Sequence, residues 1–295
     1  MATFPTRVLL ATDGSAQAQR AAEMAAELSG KHGAELHVVY VEPVPEAYVN
    51  AWSSADAEFS ELVGVQAEKD AQAKADREAA KIKESGHEVT RAHGKVGQPE
   101  AEIVRLAEEI EAGLTVVGSR GLGPLRRALI GSVSNGVVRH AHSSVLVVRG
   151  SGRLPGKILL ANDGSEGAES ASQVAAEIAA TTGSELTVLV ALSLVTPYPS
   201  RLAQDTWGNT KHQARSFAEQ EATRLSAETS TAVEGRLALG RPDVEIVRAG
   251  EELGADMIVV GSRGIGAVRR AVMGSVSDSV VRHAHCPVLV VRPVS

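Results

Sequence analysis

Cysteine is almost missing from this chain. Cys286 is the only one in 295 residues, so no disulfide can close within the chain, which fits a reducing compartment. Aromatic residues make up 3%, too few for the stacked platforms that hold single-stranded nucleic acid. Positive charge is not in excess either. Thirty Lys and Arg stand against 36 Asp and Glu, a net charge of −6, the wrong sign for a general nucleic-acid or anionic-membrane binder. No apolar run approaches the roughly 18 residues of a membrane-crossing helix. The chain does not open on a charged segment followed by a short apolar core. The expectation is a cytoplasmic protein with no nucleic-acid and no membrane partner. With 43% hydrophobic and 22% charged residues, it has material for an ordinary buried core.

What the chain does have is a duplication. Gly118-Ser-Arg-Gly121 returns 143 residues later as Gly261-Ser-Arg-Gly264, and in each copy nine further residues lead to Gly131-Ser132 or Gly274-Ser275. Residues 117–149 and 260–292 agree at 24 of 33 positions without a gap. The opening repeats too, Arg7-Val-Leu-Leu-Ala-Thr-Asp-Gly-Ser15 matching Lys157-Ile-Leu-Leu-Ala-Asn-Asp-Gly-Ser165 at an offset of 150. The fall from 150 to 143 puts a seven-residue difference in length in the middle of a copy. Two domains are expected, 1–149 and 157–295, joined by a Gly- and Pro-containing linker at 150–156.

Within each copy, apolar β-branched runs alternate with amphipathic stretches. Strands are expected at 7–12, 35–41, 88–93, 114–118 and 145–149, and at 157–162, 185–191, 233–238, 257–261 and 288–292. Helices fall between them, at about 15–31, 56–85, 100–112 and 132–142, then 165–182, 203–229, 242–253 and 275–285. Ser15 or Asp13 would cap the first helix, Gly33 would end it, and Pro99 suits a helix's first turn. Such alternation with apolar strands argues for a parallel sheet covered by helices on both faces. In that architecture a ligand lies beyond the carboxyl ends of the strands, where strand order reverses.

The glycine pattern sits at such a strand end. Leu114-Thr-Val-Val117 and Met257-Ile-Val-Val260 run into glycine and small hydroxyl residues, then into a helix. Glycine lets the backbone approach a ligand closely, and a helix N-terminus offers free N–H groups and its positive dipole end, a suitable place for phosphate. The pattern is neither a Walker A loop nor the dinucleotide fingerprint after a first strand.

Gly-x-x-Gly, nine residues and Gly-Ser, followed by Val-x-x-x-Val-x-x-x-Ala, resembles the nucleotide-binding signature of the universal stress protein family. The early Asp-Gly-Ser and the closing Pro-Val-Leu-Val-Val-Arg at 287–292 fit it as well, and the resemblance runs over nearly the whole chain as two tandem copies. It implies an α/β fold, two doubly wound five-stranded parallel sheets of order 3-2-1-4-5, of the adenine nucleotide alpha hydrolase-like type. It also implies ATP at the switch point. By position, Asp13 and Asp163 would meet the adenosine end, and Val41 and Ala191 the adenine through backbone. Gly118, Gly121, Gly131 and Ser132 would hold ribose and phosphates in the first half, with Val133 adding a backbone contact beside them. Gly261, Gly264, Gly274, Ser275 and Val276 would do the same in the second. Mg2+ would be held through the nucleotide's phosphates. The copies depart from each other at Gly113 against Asp256 and at Ser144 against Pro287, both outside the phosphate loop.

Plainer readings stand beside these. The glycines could serve tight packing alone, and Asp13 and Asp163 could be simple helix caps. Arg120, Arg126, Arg127, Arg263, Arg269 and Arg270 have the donor fork that suits phosphate, yet surface arginines are usually just solvated. His140-Ala-His142 and His283-Ala-His285 lack flanking ligands, so companions of a helix end are favoured over a metal site. Tyr48, Trp52, Tyr198 and Trp207 are read as loop anchors, and Cys286 as an inert thiol. No repeated base is aimed at a γ-phosphate, as phosphoryl transfer needs, so the expectation is a binding and signalling protein, not an enzyme. The alternative is an interaction protein that pairs without nucleotide. The apolar last strands, bare edges in separate domains, lead to an expected pseudo-twofold pairing of the two halves, with a homodimer of the chain as a further expectation.

Overall fold

The aliphatic runs that open each copy become strands buried on both faces. Leu9, Leu10, Leu159 and Leu160 are fully buried, as are Val116 and Val259. The structure is a computed structural model describing residues 4–44, 57–121, 130–193, 201–229, 231–264 and 273–293, with the side chains of 57–63 and 201–207 also outside that set.

The chain divides into two compact units, Pro5–Arg153 and Leu154 onward with Phe4. The first contains β1 (Arg7–Thr12), α1 (Ala16–His32), β2 (Glu35–Glu42), α2 (Ala57–Glu84), β3 (Arg91–Val96), α3 (Pro99–Glu109), β4 (Leu114–Gly118), α4 (Ser132–His140) and β5 (Ser144–Val148). Its strands are ordered β3-β2-β1-β4-β5, with every neighbouring pair parallel. The second contains β6 (Lys157–Ala161), α5 (Glu166–Thr182), β7 (Glu185–Leu192), α6 (Arg201–Thr229), β8 (Val233–Leu239), α7 (Pro242–Leu253), β9 (Met257–Gly261), α8 (Ser275–His283) and β10 (Val288–Val291). Its order, β8-β7-β6-β9-β10, is the same arrangement, again all parallel. This is the 3-2-1-4-5 α/β fold expected for each copy. Helices pair as α1 with α2 and α3 with α4 in the first unit, and as α5 with α6 and α7 with α8 in the second.

Alanine at the contact lets α1 lie close to the sheet, with Ala21 and Ala25 fully buried. The helix begins at Ser15, whose side chain accepts the Ala18 N–H, and stops at Gly33 with φ 65°. Pro99 and Pro242 occupy the first turns of α3 and α7, where a missing N–H costs nothing.

Several boundaries differ from expectation. Strand β3 begins at Arg91, not residue 88, because the chain leaving α2 is still closing that helix: Gly86 N–H donates to Lys83 O and His87 N–H to Ile82 O. The strand continues through Gly94 because α2 crosses there. A Cβ on Gly94 would overlap the backbone of Gln72. The Gln72 side chain instead accepts the Gly94 N–H at 2.8 Å and donates to Ala92 O at 3.2 Å, satisfying an edge strand's free groups. Gly235 on β8 meets Ala218 of α6 in the same way. Helix α3 ends at Glu109 instead of 112, and α4 and α8 end at His140 and His283, leaving His142 and His285 beyond them. The Gly113/Asp256 difference is local. Both residues donate the same backbone bond, to Arg7 O or Lys157 O. Asp256 also accepts the Gly156 and Lys157 N–H groups at 2.9 and 3.0 Å, whereas Gly113 leaves its side-chain space to Pro5.

Candidate functional site

The turn after the first strand is built identically in both units. Gly14 and Gly164 have φ 76° and 79°, a left-handed conformation that glycine adopts without strain. Their N–H groups donate to the side chains of Thr12 (3.1 Å) and Asn162 (2.7 Å), both buried. Asp13 Oδ1 accepts the Ser15 N–H at 3.0 Å and Asp163 Oδ1 the Ser165 N–H at 3.1 Å. The caps of α1 and α5 are therefore the serines, not the aspartates. Each aspartate's other oxygen lies against a glycine of the distant loop, since a Cβ on Gly121 would overlap Asp13 Oδ2 and one on Gly264 would overlap Asp163 Oδ2.

The three signature glycines of each copy thus differ in what requires them. Gly118 is needed for packing: a Cβ there would lie 3.0 Å from the Gln17 carbonyl carbon and 3.1 Å from Ala18 N, in the first turn of α1. Gly261 meets Gly167 and Ala168 at 2.7 and 3.0 Å. Gly121 and Gly264 make room for a carboxylate. Gly131 has φ −70°, and a Cβ on it would find nothing among the described residues nearer than 3.5 Å. Gly274 has φ −77° and a nearest described neighbour at 3.3 Å. At Gly131, neither backbone conformation nor packing among the described residues demands glycine.

The loop's own amides are partly engaged. Ser119 and Ser262 donate to Val148 O and Val291 O at 2.7 and 2.8 Å, and Gly131 and Gly274 donate to Ser119 O and Ser262 O at 2.8 Å. Further donors at this place come from the helices' first turns, Ser132 and Val133 on α4 and Ser275 and Val276 on α8. A helix begins with N–H groups that have no intrahelical acceptor, and no side chain caps α4 or α8.

In the second unit these parts surround a cleft of about 670 Å³. All seven residues expected there from sequence line it: Asp163, Ala191, Gly261, Gly264, Gly274, Ser275 and Val276. So does Arg263. Burial lowers the pKa of the Arg292 guanidinium, at the end of β10, to about 10, and the nearby positive charge of Arg263 pushes it the same way. The sequence reading did not single out Asn162, Pro242, Ile246 or Met273, which also line the cleft. Pro242, opening the helix after β8, was the available signal. In the first unit, pairing of Ala11 with both Val39 and Val117 carries Asp13, Val41 and Gly118 to the carboxyl ends of three adjacent strands. Gly121 reaches them through Asp13, and Gly131, with Ser132 and Val133 after it, through Ser119.

Other candidates fall away from this place or outside the description. Arg126, Arg127, Arg269, Arg270, Tyr48, Trp52 and Tyr198 lie outside the described residues. Trp207 belongs to α6, its side chain also outside them. His142 pairs with Glu108 at 3.4 Å and His285 with Glu251 at 2.7 Å, while His283 Nδ1 meets Ser279 O at 2.8 Å. Among the described residues no three His, Cys, Asp or Glu side chains are grouped to hold a metal. Cys286 is half-buried.

The model of the universal stress protein family matches residues 5–149 and again 155–292. The chain belongs to the universal stress protein family. A universal stress protein of Mycolicibacterium smegmatis is 33% identical over 189 residues, which are 62% of this chain and 62% of that one. The chain thus spans just under two thirds of that relative's length. A universal stress protein of Mycobacterium tuberculosis is 28% identical over 304 residues, covering 97% of this chain and 94% of its own. Among solved structures, a universal stress protein from Archaeoglobus fulgidus superposes with a TM-score of 0.68 at 24% identity, covering 97% of this chain and 96% of that one, a likeness of fold. No helix among the described residues is long and apolar enough to cross a membrane.

Proposed function

We propose that this chain binds an adenine nucleotide, ATP with Mg2+ held through its phosphates, at the carboxyl end of each parallel sheet. Occupancy then biases a conformation or a partner surface in a stress response. The observation that carries this reading is the cleft of the second unit, where Asp163, Ala191 and the glycine-loop residues converge on the first turn of α8. Asp163 faces the adenosine end and Ala191 the base, while the Ser275 and Val276 amides and Arg263 take the polyphosphate. In the first unit the same roles are proposed for Asp13, Val41, Ser132, Val133 and Arg120.

The donor set suits such a ligand. A strand end with first-turn amides and a guanidinium favours a polyanion. Mg2+ commonly takes its ligands from phosphates and water, which agrees with a cleft whose described lining carries one carboxylate, Asp163. That carboxylate accepts the Ser165 N–H and is assigned to the adenosine end, so binding is assigned here and turnover is not.

Mass spectrometry of small molecules released from the gently denatured protein should find an adenine nucleotide. Added ATP and Mg2+ at about a hundred times the Kd should stabilise an occupied unit by about 2.7 kcal/mol, several degrees in melting temperature. A protein that releases no nucleotide and shows no thermal shift with millimolar ATP and Mg2+ refutes the proposal.

A further inference from the structure

The segment between β4 and α4 leaves the sheet at Ser119 and returns at Gly131, and one backbone bond ties the two ends, Gly131 N–H to Ser119 O at 2.8 Å. That bond fixes the start of α4, while its packing on α3 and its buried Val137 and Val138 hold the rest of the helix. A second attachment ties the first turn itself. Ser134, the third residue of α4 and 6% exposed, donates its hydroxyl to the carbonyl of Gly118 at 2.6 Å. Gly118 is the last residue of β4. Ser277, the third residue of α8 and 3% exposed, reaches back from the same position, to Ser262 O at 3.2 Å and Gly274 O at 3.0 Å. Serine is an indifferent helix former, and its hydroxyl competes for backbone groups. Here the competition is turned to joining a helix start to the strand end in the first copy and to the loop beside it in the second.

We infer that Ser134 and Ser277 are positioning residues for the polyphosphate end of the ligand, fixing where the first-turn amides of α4 and α8 point relative to β4 and β9. The inference rests on the nucleotide reading above. Charge-assisted hydrogen bonds to phosphate oxygens weaken quickly when donors turn away, and a site 1 Å too loose is the usual result of a missing supporting shell. The two attachments are not equal. In the first unit one short bond goes to the strand's last residue, while in the second the hydroxyl is divided between two longer bonds, both to the loop. Ser134 therefore controls its helix more tightly than Ser277.

Calorimetric titration of the full chain with ATP–Mg2+ and separately with adenosine tests this. Ser134→Ala should weaken ATP at one class of sites by about tenfold, the worth of one well-made hydrogen bond, while adenosine affinity stays within about twofold. Ser277→Ala should show the same selectivity with a smaller loss. A purely structural serine would shift both ligands together or lower the melting temperature alone. Equal losses for ATP and adenosine, or an unchanged ATP affinity, in a folded Ser134→Ala chain overturn the inference. Should that variant not fold, Ser277→Ala decides by the same comparison. A wild-type chain that binds neither ligand refutes the nucleotide reading itself, and this inference with it.

Discussion

Gly131→Ala separates a glycine kept for the protein from one kept for a ligand. The residue's φ of −70° and ψ of 155° are open to alanine, and among the described residues the new methyl would meet only ordinary contacts, the nearest at 3.5 Å. Stiffening the unfolded chain stabilises by about 0.4–1 kcal/mol. Alanine is a poorer N-cap than glycine, which costs a similar amount. The two nearly cancel, so the melting temperature should stay within about 2 °C of wild type. Binding should respond differently. A methyl beside the first-turn amides holds a phosphate off, and one or two charge-assisted bonds at about 1.5–3 kcal/mol each are weakened or lost. The expected result is ATP binding at least about tenfold weaker in one of two sites. Gly118→Ala is the control, since its methyl would press at 3.0–3.1 Å on the backbone of α1. It should cost about 1–3 kcal/mol of stability from overpacking. Scanning calorimetry and ATP titration of both variants decide the matter. A Gly131→Ala chain that melts like wild type and binds ATP equally well would refute the argument that this glycine serves a ligand.

Two further outcomes follow from packing and charge. Gly94→Ala should destabilise the first unit by about 3 kcal/mol or more, because its Cβ would overlap the Gln72 backbone and force α2 off β3; a melting temperature within about 2 °C of wild type would contradict that contact. The first unit should also lose stability in mild acid through His37 and His93, stacked on adjacent strands with Nδ1 and Nε2 3.0 Å apart. Burial pushes His93 down to about 4, helped by the charges of His37, Arg91 and Lys95, and burial lowers His37 as well against the pull of Glu35. Protons therefore bind the unfolded chain more readily. The stabilisation is complete above about pH 6.5 and is lost as pH falls toward 4. For His93 that is up to about 2 kcal/mol by pH 5. Melting curves at pH 7.5 and 5 should show it, and His93→Gln should flatten the dependence; an unchanged slope in that variant would refute it.

Much of this was legible in the chain because the signals are local and occur twice. Aliphatic runs broken at regular intervals specify parallel strands buried on both faces. Asp-Gly-Ser specifies a left-handed turn followed by a capped helix, and the matching Gly-x-x-Gly segments specify where each fourth strand opens into its loop. Reading single elements also set the limits. The strand expected at 88–93 begins three residues late because the exit from α2 uses up the chain, and Gly94 reads as an interruption until Gln72 is seen to fill its place.

By itself, the sequence determined the duplication, the alternation of strand and helix and the stretches that end each strand, since these follow from periodicity, turn chemistry and repetition, while the strand order was what the resemblance to the universal stress protein family implied. Only the tertiary structure decided what each signature glycine is for. Gly118 admits a helix backbone, Gly121 admits the carboxylate of Asp13, and Gly131 is required by no contact among the described residues. Ser134 likewise reads as one more small helix residue until the Gly118 carbonyl lies 2.6 Å from its hydroxyl. Those distinctions depend on contacts between segments far apart in the chain, and spacing along one strand of sequence carries no record of them.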